Sequence, residues 1–132
     1  MFTSAASAPV DVVDGRTHYW HSKPGFTPTA DLLVVRVIIP PGGGHPFHCH
    51  PNKEEVIYFI SGTAEQWLEQ NKQILGPGSS VYIPKSAVHA TFNRGPEPLE
   101  FIAIITPCSA DGPVGIELAG EEPWRSVLQA MK

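Results

Sequence analysis

Leu32 to Ile39 is almost continuously apolar and rich in β-branched residues, and it stops abruptly at Pro40-Pro41-Gly42-Gly43-Gly44. The same form recurs along the chain. Glu55 to Ile60 is stopped by Ser61-Gly62, and Thr63 to Glu69 would be its hairpin partner. Ile74-Leu75 ends at Gly76-Pro77-Gly78, Val81 to Ile83 ends at Pro84, and Val88 to Phe92 ends at Asn93-Arg94-Gly95-Pro96. A short stretch, Phe47 to His50, lies between the first two runs, and Leu99 to Thr106 is the last strong one. Runs of this length bounded by Gly, Pro or Asn predict about eight short strands at roughly ten-residue spacing, the pattern of an all-β sandwich or barrel. The first thirty residues are turn-rich and read as an arm with one or two short strands. Only the tail, Glu121 to Met131, reads as a helix, with acids before its start and Pro123 near its first turn. The chain thus divides into an arm (1–30), a barrel core (31–110) and a C-terminal extension packing on it (111–132).

Composition narrows the classes. A chain of 132 residues is one domain with a modest core. Nine Lys plus Arg against thirteen Asp plus Glu give a formal charge of −4 with no basic block, which argues against nucleic acid and anionic membranes as partners. The longest apolar runs are too short to span a bilayer. Cys49 and Cys108 make no disulfide framework. The N-terminus lacks a basic region followed by an apolar one, so a cytoplasmic protein with reduced thiols is expected.

The chemistry concentrates between residues 45 and 89, where four of the six His lie. His48 and His50 are two apart, so a strand points both to one face and Cys49 to the other. Glu55 opens the next strand, and His89 lies early in a later one. Three imidazoles and a carboxylate suit a divalent first-row transition metal. A closed zinc site would use more thiolate, and a calcium or magnesium site more oxygen.

Two stretches resemble the cupin family. The first cupin motif is a Gly, five residues, His-x-His, three or four residues, Glu, six residues, Gly. Here Gly42 leads to His48-Cys49-His50, then to Glu55 and Gly62 at those spacings. The second is Gly, five residues, Pro-x-Gly, two residues, His, three residues, Asn. Here Gly78 leads to Pro84-Lys85-Ser86, His89 and Asn93. Ser86 alone departs, standing where the family has Gly, and should strain or reshape that turn.

The resemblance implies a jelly-roll barrel, the cupin double-stranded β-helix, with a metal held by His48, His50, Glu55 and His89. The ion would be Fe, Mn, Ni or Zn. Glu54 is the competing carboxylate. Parity favours Glu55, which shares a face with Ile57 and Phe59, expected to line the lumen. A two-residue turn at Ser61-Gly62 would pair Ile57 with Gln66 and aim Gln66 inward as a substrate contact, Ile57 and Phe59 being the others. His45 reads as a residue of the mouth or a base beside the ligands, and Thr91 and Asn93 share the parity of His89. The outward set Val56, Tyr58, Ile60, Val88, Ala90 and Phe92 is too apolar for bare solvent, so a homodimer is expected, with Trp20, Phe26 and Trp124 as alternative cover.

Four protein ligands on an octahedral ion leave two adjacent positions for a small anionic or enolisable molecule. The expected activity is that of a small dioxygenase. A metal-dependent isomerase or decarboxylase of a sugar or oxo acid, and a binding module without turnover, are the alternatives.

Overall fold

The computed structural model describes residues 1–109 and 114–131. Eleven strands and one helix occur among them: β1 (Val10–Val13), β2 (Arg16–Ser22), β3 (Leu33–Ile39), β4 (Gly44–Cys49), β5 (Glu54–Ser61), β6 (Ala64–Leu68), β7 (Asn71–Leu75), β8 (Ser80–Ile83), β9 (His89–Asn93), β10 (Leu99–Thr106), β11 (Ile116–Glu117) and α1 (Trp124–Ala130). They form two antiparallel sheets, one ordered β1-β2-β3-β10-β5-β8 and the other β11-β4-β9-β6-β7. The expected all-β jelly roll with a C-terminal helix is the fold observed. The expected junction between core and C-terminal extension, at 110 and 111, lies outside the described residues.

Alternation decides which side chains fill the space between the sheets. In β3, Leu33, Val35, Val37 and Ile39 point inward and are buried. In β10, Leu99, Phe101, Ala103 and Ile105 do the same. In β5 the buried set is Glu55, Ile57 and Phe59, with Val56, Tyr58 and Ile60 on the outer face. The parity reading of this strand therefore holds, and it puts a carboxylate in an otherwise apolar layer.

The Ser61-Gly62 hairpin does not form. Both edges of β5 are taken, by β10 and by β8, and β6 pairs instead with β7 and β9 in the other sheet. Gly62 is where the chain turns that corner. Its φ is +84°, and a Cβ there would lie 2.5 Å from the Pro98 carbonyl oxygen, so only glycine fits. Gln66 is opposite Thr91 and Gln73, not Ile57. The N-terminal segment is also more regular than expected, because β2 pairs along β3 and extends the six-stranded sheet.

The outward apolar set divides in two. Ala90 and Phe92 are buried within the chain, in a second core with Phe47, Trp67 and Trp124. Trp124 stacks on Phe47 with ring centroids 5.1 Å apart, so α1 is the cover. Glu122 caps this helix, accepting from the Ser126 amide and hydroxyl. Val56, Tyr58 and Ile60 stay exposed, joined by Tyr82 and Ile104. The expectation of a homodimer now rests on that one face.

Candidate metal centre

The five-stranded sheet supplies three imidazoles. His48 on β4 is directly opposite His89 on β9, and their ring centroids are 4.1 Å apart. His50, just past the end of β4, lies 5.1 Å from each. One nitrogen from each of the three falls within 4.8 Å of the others. Glu55 reaches in from the opposite sheet, with Oε1 3.2 Å from His50 Nε2 and 3.0 Å from His89 Nε2. Glu54 is instead on the outer side, accepting from the Tyr82 hydroxyl.

The second nitrogen of each ring is committed to the backbone. His48 Nδ1 donates to Pro46 O at 2.7 Å, His50 Nδ1 to Val114 O at 2.9 Å and His89 Nδ1 to Ala87 O at 3.0 Å. All three rings are thereby held in the tautomer that leaves Nε2 as a lone pair facing inward. Glu55 Oε1 and His89 Nε2 are shielded from water yet have no aligned hydrogen bond, despite their close approach. Buried polar atoms of this sort normally have partners. A cation at the point of convergence satisfies all four, so the residues present fit a divalent metal. Three His and one Glu are positioned for such an ion.

The electrostatics agree. Burial works to raise the Glu55 carboxyl, but the imidazoles of His50 and His89 outweigh it and hold the pKa down at about 2. Burial, reinforced by the neighbouring imidazoles, pushes His48 well below its ordinary value. Burial also works to lower His50, but Glu55 overcomes it and the net shift is upward. The set is thus an ionised carboxylate and one imidazole strongly held neutral, ready to ligate.

The cluster opens on a cavity of about 140 Å³. That matches the size of an apolar cavity known to take benzene, about 150 Å³. Val35, Val37, Phe101 and Ala103 make its wall apolar, and Arg16, His18, Trp20, His45 and Thr91 add polar groups. Ile57 lines it as expected; Phe59 is fully buried in the core behind. Gln66 is buried one layer back. Its Oε1 accepts from the Thr91 hydroxyl at 2.6 Å, and its Nε2 donates to Trp67 O. Asn93 is a structural brace, donating to Ile39 O and Glu97 O.

His45 joins the ligand side through a bulge. Between His45 and His48 the register of β4 against β9 shifts by one residue, so residues three apart share a face. Their rings stack at 3.5 Å, and His45 Nε2 contacts Glu117 Oε1 at 2.8 Å. Burial lowers His45, and the hydrogen bond from His45 lowers Glu117. Arg16 and His18 carried no expectation from the sequence, and Trp20, expected as cover for the outer face, lines the cavity instead, although the i, i+2, i+4 spacing of the three is that of one strand face. Cys49 is outside the cluster, paired in register with Ile116, and both cysteines are free.

Ser86 adopts the left-handed conformation that the motif glycine would take, with φ +63°. Its hydroxyl accepts from the Asn52 amide at 2.9 Å, tying the turn before His89 to the loop between His50 and Glu55. Ser86→Ala keeps the strain and loses the bond, and should lower stability by about 0.5–1 kcal/mol, while Ser86→Gly should be nearly neutral. Urea denaturation midpoints of the two variants test this.

A family model described as Cupin domain matches residues 35–105. Mannose-1-phosphate guanylyltransferase of Escherichia coli is 32% identical over 71 residues, which are 54% of this chain but only 15% of that protein. Glucose-6-phosphate isomerase of Thermococcus kodakarensis is 38% identical over 66 residues, 46% of this chain and 34% of that one. The chain thus spans 15% and 34% of the length of these two curated relatives. The solved structure of KdgF from Halomonas sp. superposes with a TM-score of 0.72 at 24% identity, covering 84% of this chain and 96% of that one. That likeness establishes the fold.

Proposed function

This chain belongs to the cupin domain family, and from that premise we propose that it is a metal-dependent enzyme moving a proton on a small oxygenated molecule, as an isomerase or lyase does. His48, His50, Glu55 and His89 would hold the metal, which when bound supplies Lewis acidity toward a substrate oxygen. The observation that carries the reaction class is the pair of imidazole–carboxylate contacts at the cavity. His45 Nε2 contacts Glu117 Oε1 at 2.8 Å, and His18 Nδ1 contacts Asp11 Oδ1 at 2.9 Å. Proton transfer needs such groups, and transfer to dioxygen does not.

The chain's own residues then have separate duties. Glu117, ionised, accepts a hydrogen bond from the Nε2–H of His45, which leaves His45 Nδ1 as the proton-accepting atom. Thr91, its hydroxyl proton given to Gln66, offers its oxygen lone pairs to a bound donor. Gln66 acts through Thr91 as a positioning residue. The apolar wall excludes water, which strengthens the charge interactions inside. The isomerase relative lends support from its overlap with this chain.

The second reading is the small dioxygenase, favoured by how apolar the wall is. The experiment that separates them uses zinc-loaded protein under argon in D₂O, with a panel of small oxo and hydroxy acids followed by proton NMR. Exchange of a substrate C–H for deuterium, lost in His45→Gln, is expected. Turnover seen only with a redox metal and measurable O₂ consumption would overturn the reading, because zinc has no accessible redox change.

A further inference from the structure

Arg16 is 6% exposed and is one of the residues lining the cavity onto which the metal ligands open. Among the described residues no carboxylate lies in ion-pair contact with it. Asp14 and Glu117 act on it only at longer range. One terminal nitrogen donates to the Gly44 carbonyl at 3.1 Å. Its Nε–H is shielded from water and has no hydrogen-bond partner. A guanidinium has two edges that can donate in parallel, and the Gly44 contact occupies only one terminal nitrogen, leaving the Nε edge uncommitted. Trp20, two strand steps along the same face of β2, lines the same cavity, and its indole Nε1–H is also buried without a partner.

A buried cation without a contacting counter-ion is costly to keep, and so is a buried N–H without an acceptor. Two such groups on one wall of a cavity make a site for an incoming anion. We propose that Arg16, through its Nε edge, and Trp20, through its indole N–H, receive the carboxylate of the substrate, so that the protein acts on a small oxygenated carboxylic acid.

The planar fork of a guanidinium matches a carboxylate with two parallel N–H···O bonds. One guanidinium and one neutral donor match a single negative charge, whereas a phosphate dianion would find no second Lys or Arg among the residues lining this cavity. The cavity of about 140 Å³ has room for an acid of a few carbon atoms. The remaining oxygen of such an acid would face the His48, His50, Glu55 and His89 cluster across the same space.

The inference deepens the proposed function, so its test is made independent of the metal. Full-length, ¹⁵N-labelled protein, as purified and after chelation, is titrated with pyruvate, with its neutral analogue pyruvamide and with inorganic phosphate. The Arg16 Nε–H resonance is the readout. Pyruvate should shift it saturably in both preparations, and pyruvamide should not. Arg16→Met should weaken pyruvate binding at least tenfold and Arg16→Lys less, while both retain one equivalent of metal. Trp20→Phe, which removes only the N–H, should weaken binding several-fold and guards against a folding defect in the Arg16 variants. An unmoved resonance, equal binding of pyruvamide, or pyruvate affinity unchanged in Arg16→Met and Trp20→Phe would overturn the assignment. Tighter binding of phosphate than of pyruvate would overturn the carboxylate class. Loss of metal in the chelated sample with pyruvate binding intact would leave this site standing even if the metal-dependent reading fell.

Discussion

His89→Ala protein is expected to bind no stoichiometric divalent metal. His89 is fully buried, its Nδ1 is fixed by Ala87 O, and its Nε2 lies 3.0 Å from Glu55 Oε1. Removing it takes away one of three nitrogens and leaves Glu55 with one imidazole neighbour fewer. Loss of an outer partner of a ligand already weakens metal binding by about 10–100-fold. Loss of the ligand itself should exceed about 100-fold by the same scale. Elemental analysis of protein purified without a nickel column, followed by competition with a chromophoric chelator, measures it. A full equivalent at unchanged affinity in His89→Ala would show that the cluster is not the metal site. The wild-type affinity should also depend on pH with a definite sign. His48 is held neutral well below neutrality, but Glu55 raises His50 above its ordinary value of 6.5. A proton on His50 competes with the ion, so affinity is full at high pH and falls as pH drops through a value above 6.5. A pH-independent affinity between 8 and 6 would contradict this.

Trp124→Ala should destabilise the protein by about 3–5 kcal/mol, the range for truncating a buried large aromatic side chain. Trp124 is 8% exposed and closes the second core, stacked on Phe47 and packed with Phe92, Ala90 and Trp67. Phe47 has no exposure at all and directly precedes His48. Opening this face therefore loosens β4 from behind, and metal affinity should fall along with stability. Tyr58→Ala on the other sheet is the control. Tyr58 is 48% exposed and should change stability by less than about 0.5 kcal/mol in the isolated chain. Guanidinium denaturation followed by far-UV circular dichroism gives both values. A Trp124→Ala change no larger than that of Tyr58→Ala would mean that the helix does not seal the sheet.

Local alternation was enough for much of the molecule. It settled β3, β5 and β10 because each has one face on the core, and a period of two can then be read directly. It chose Glu55 over Glu54 for the same reason. The motif spacings brought out His48, His50 and His89 because ligands on fixed strands need fixed separations.

What the sequence could not decide was which strand lies beside which. Thr63 to Glu69 reads as the partner of the preceding strand because adjacency in sequence favours a hairpin. In the folded chain both edges of β5 are occupied, Gly62 turns a corner against Pro98, and β6 joins the other sheet. Gln66 is thereby inward but behind Thr91 rather than on the cavity. The bulge in β4 is equally silent in the sequence, since one extra residue reverses parity and only pairing with β9 reveals it. It brings His45 onto the ligand face. Arg16 and Trp20 became site residues only because β2 adds to the edge of β3 and turns that face inward. Periodicity is a property of one strand and is written in its side chains. Pairing is a competition among all strands for backbone partners, and only the assembled sheets resolve it.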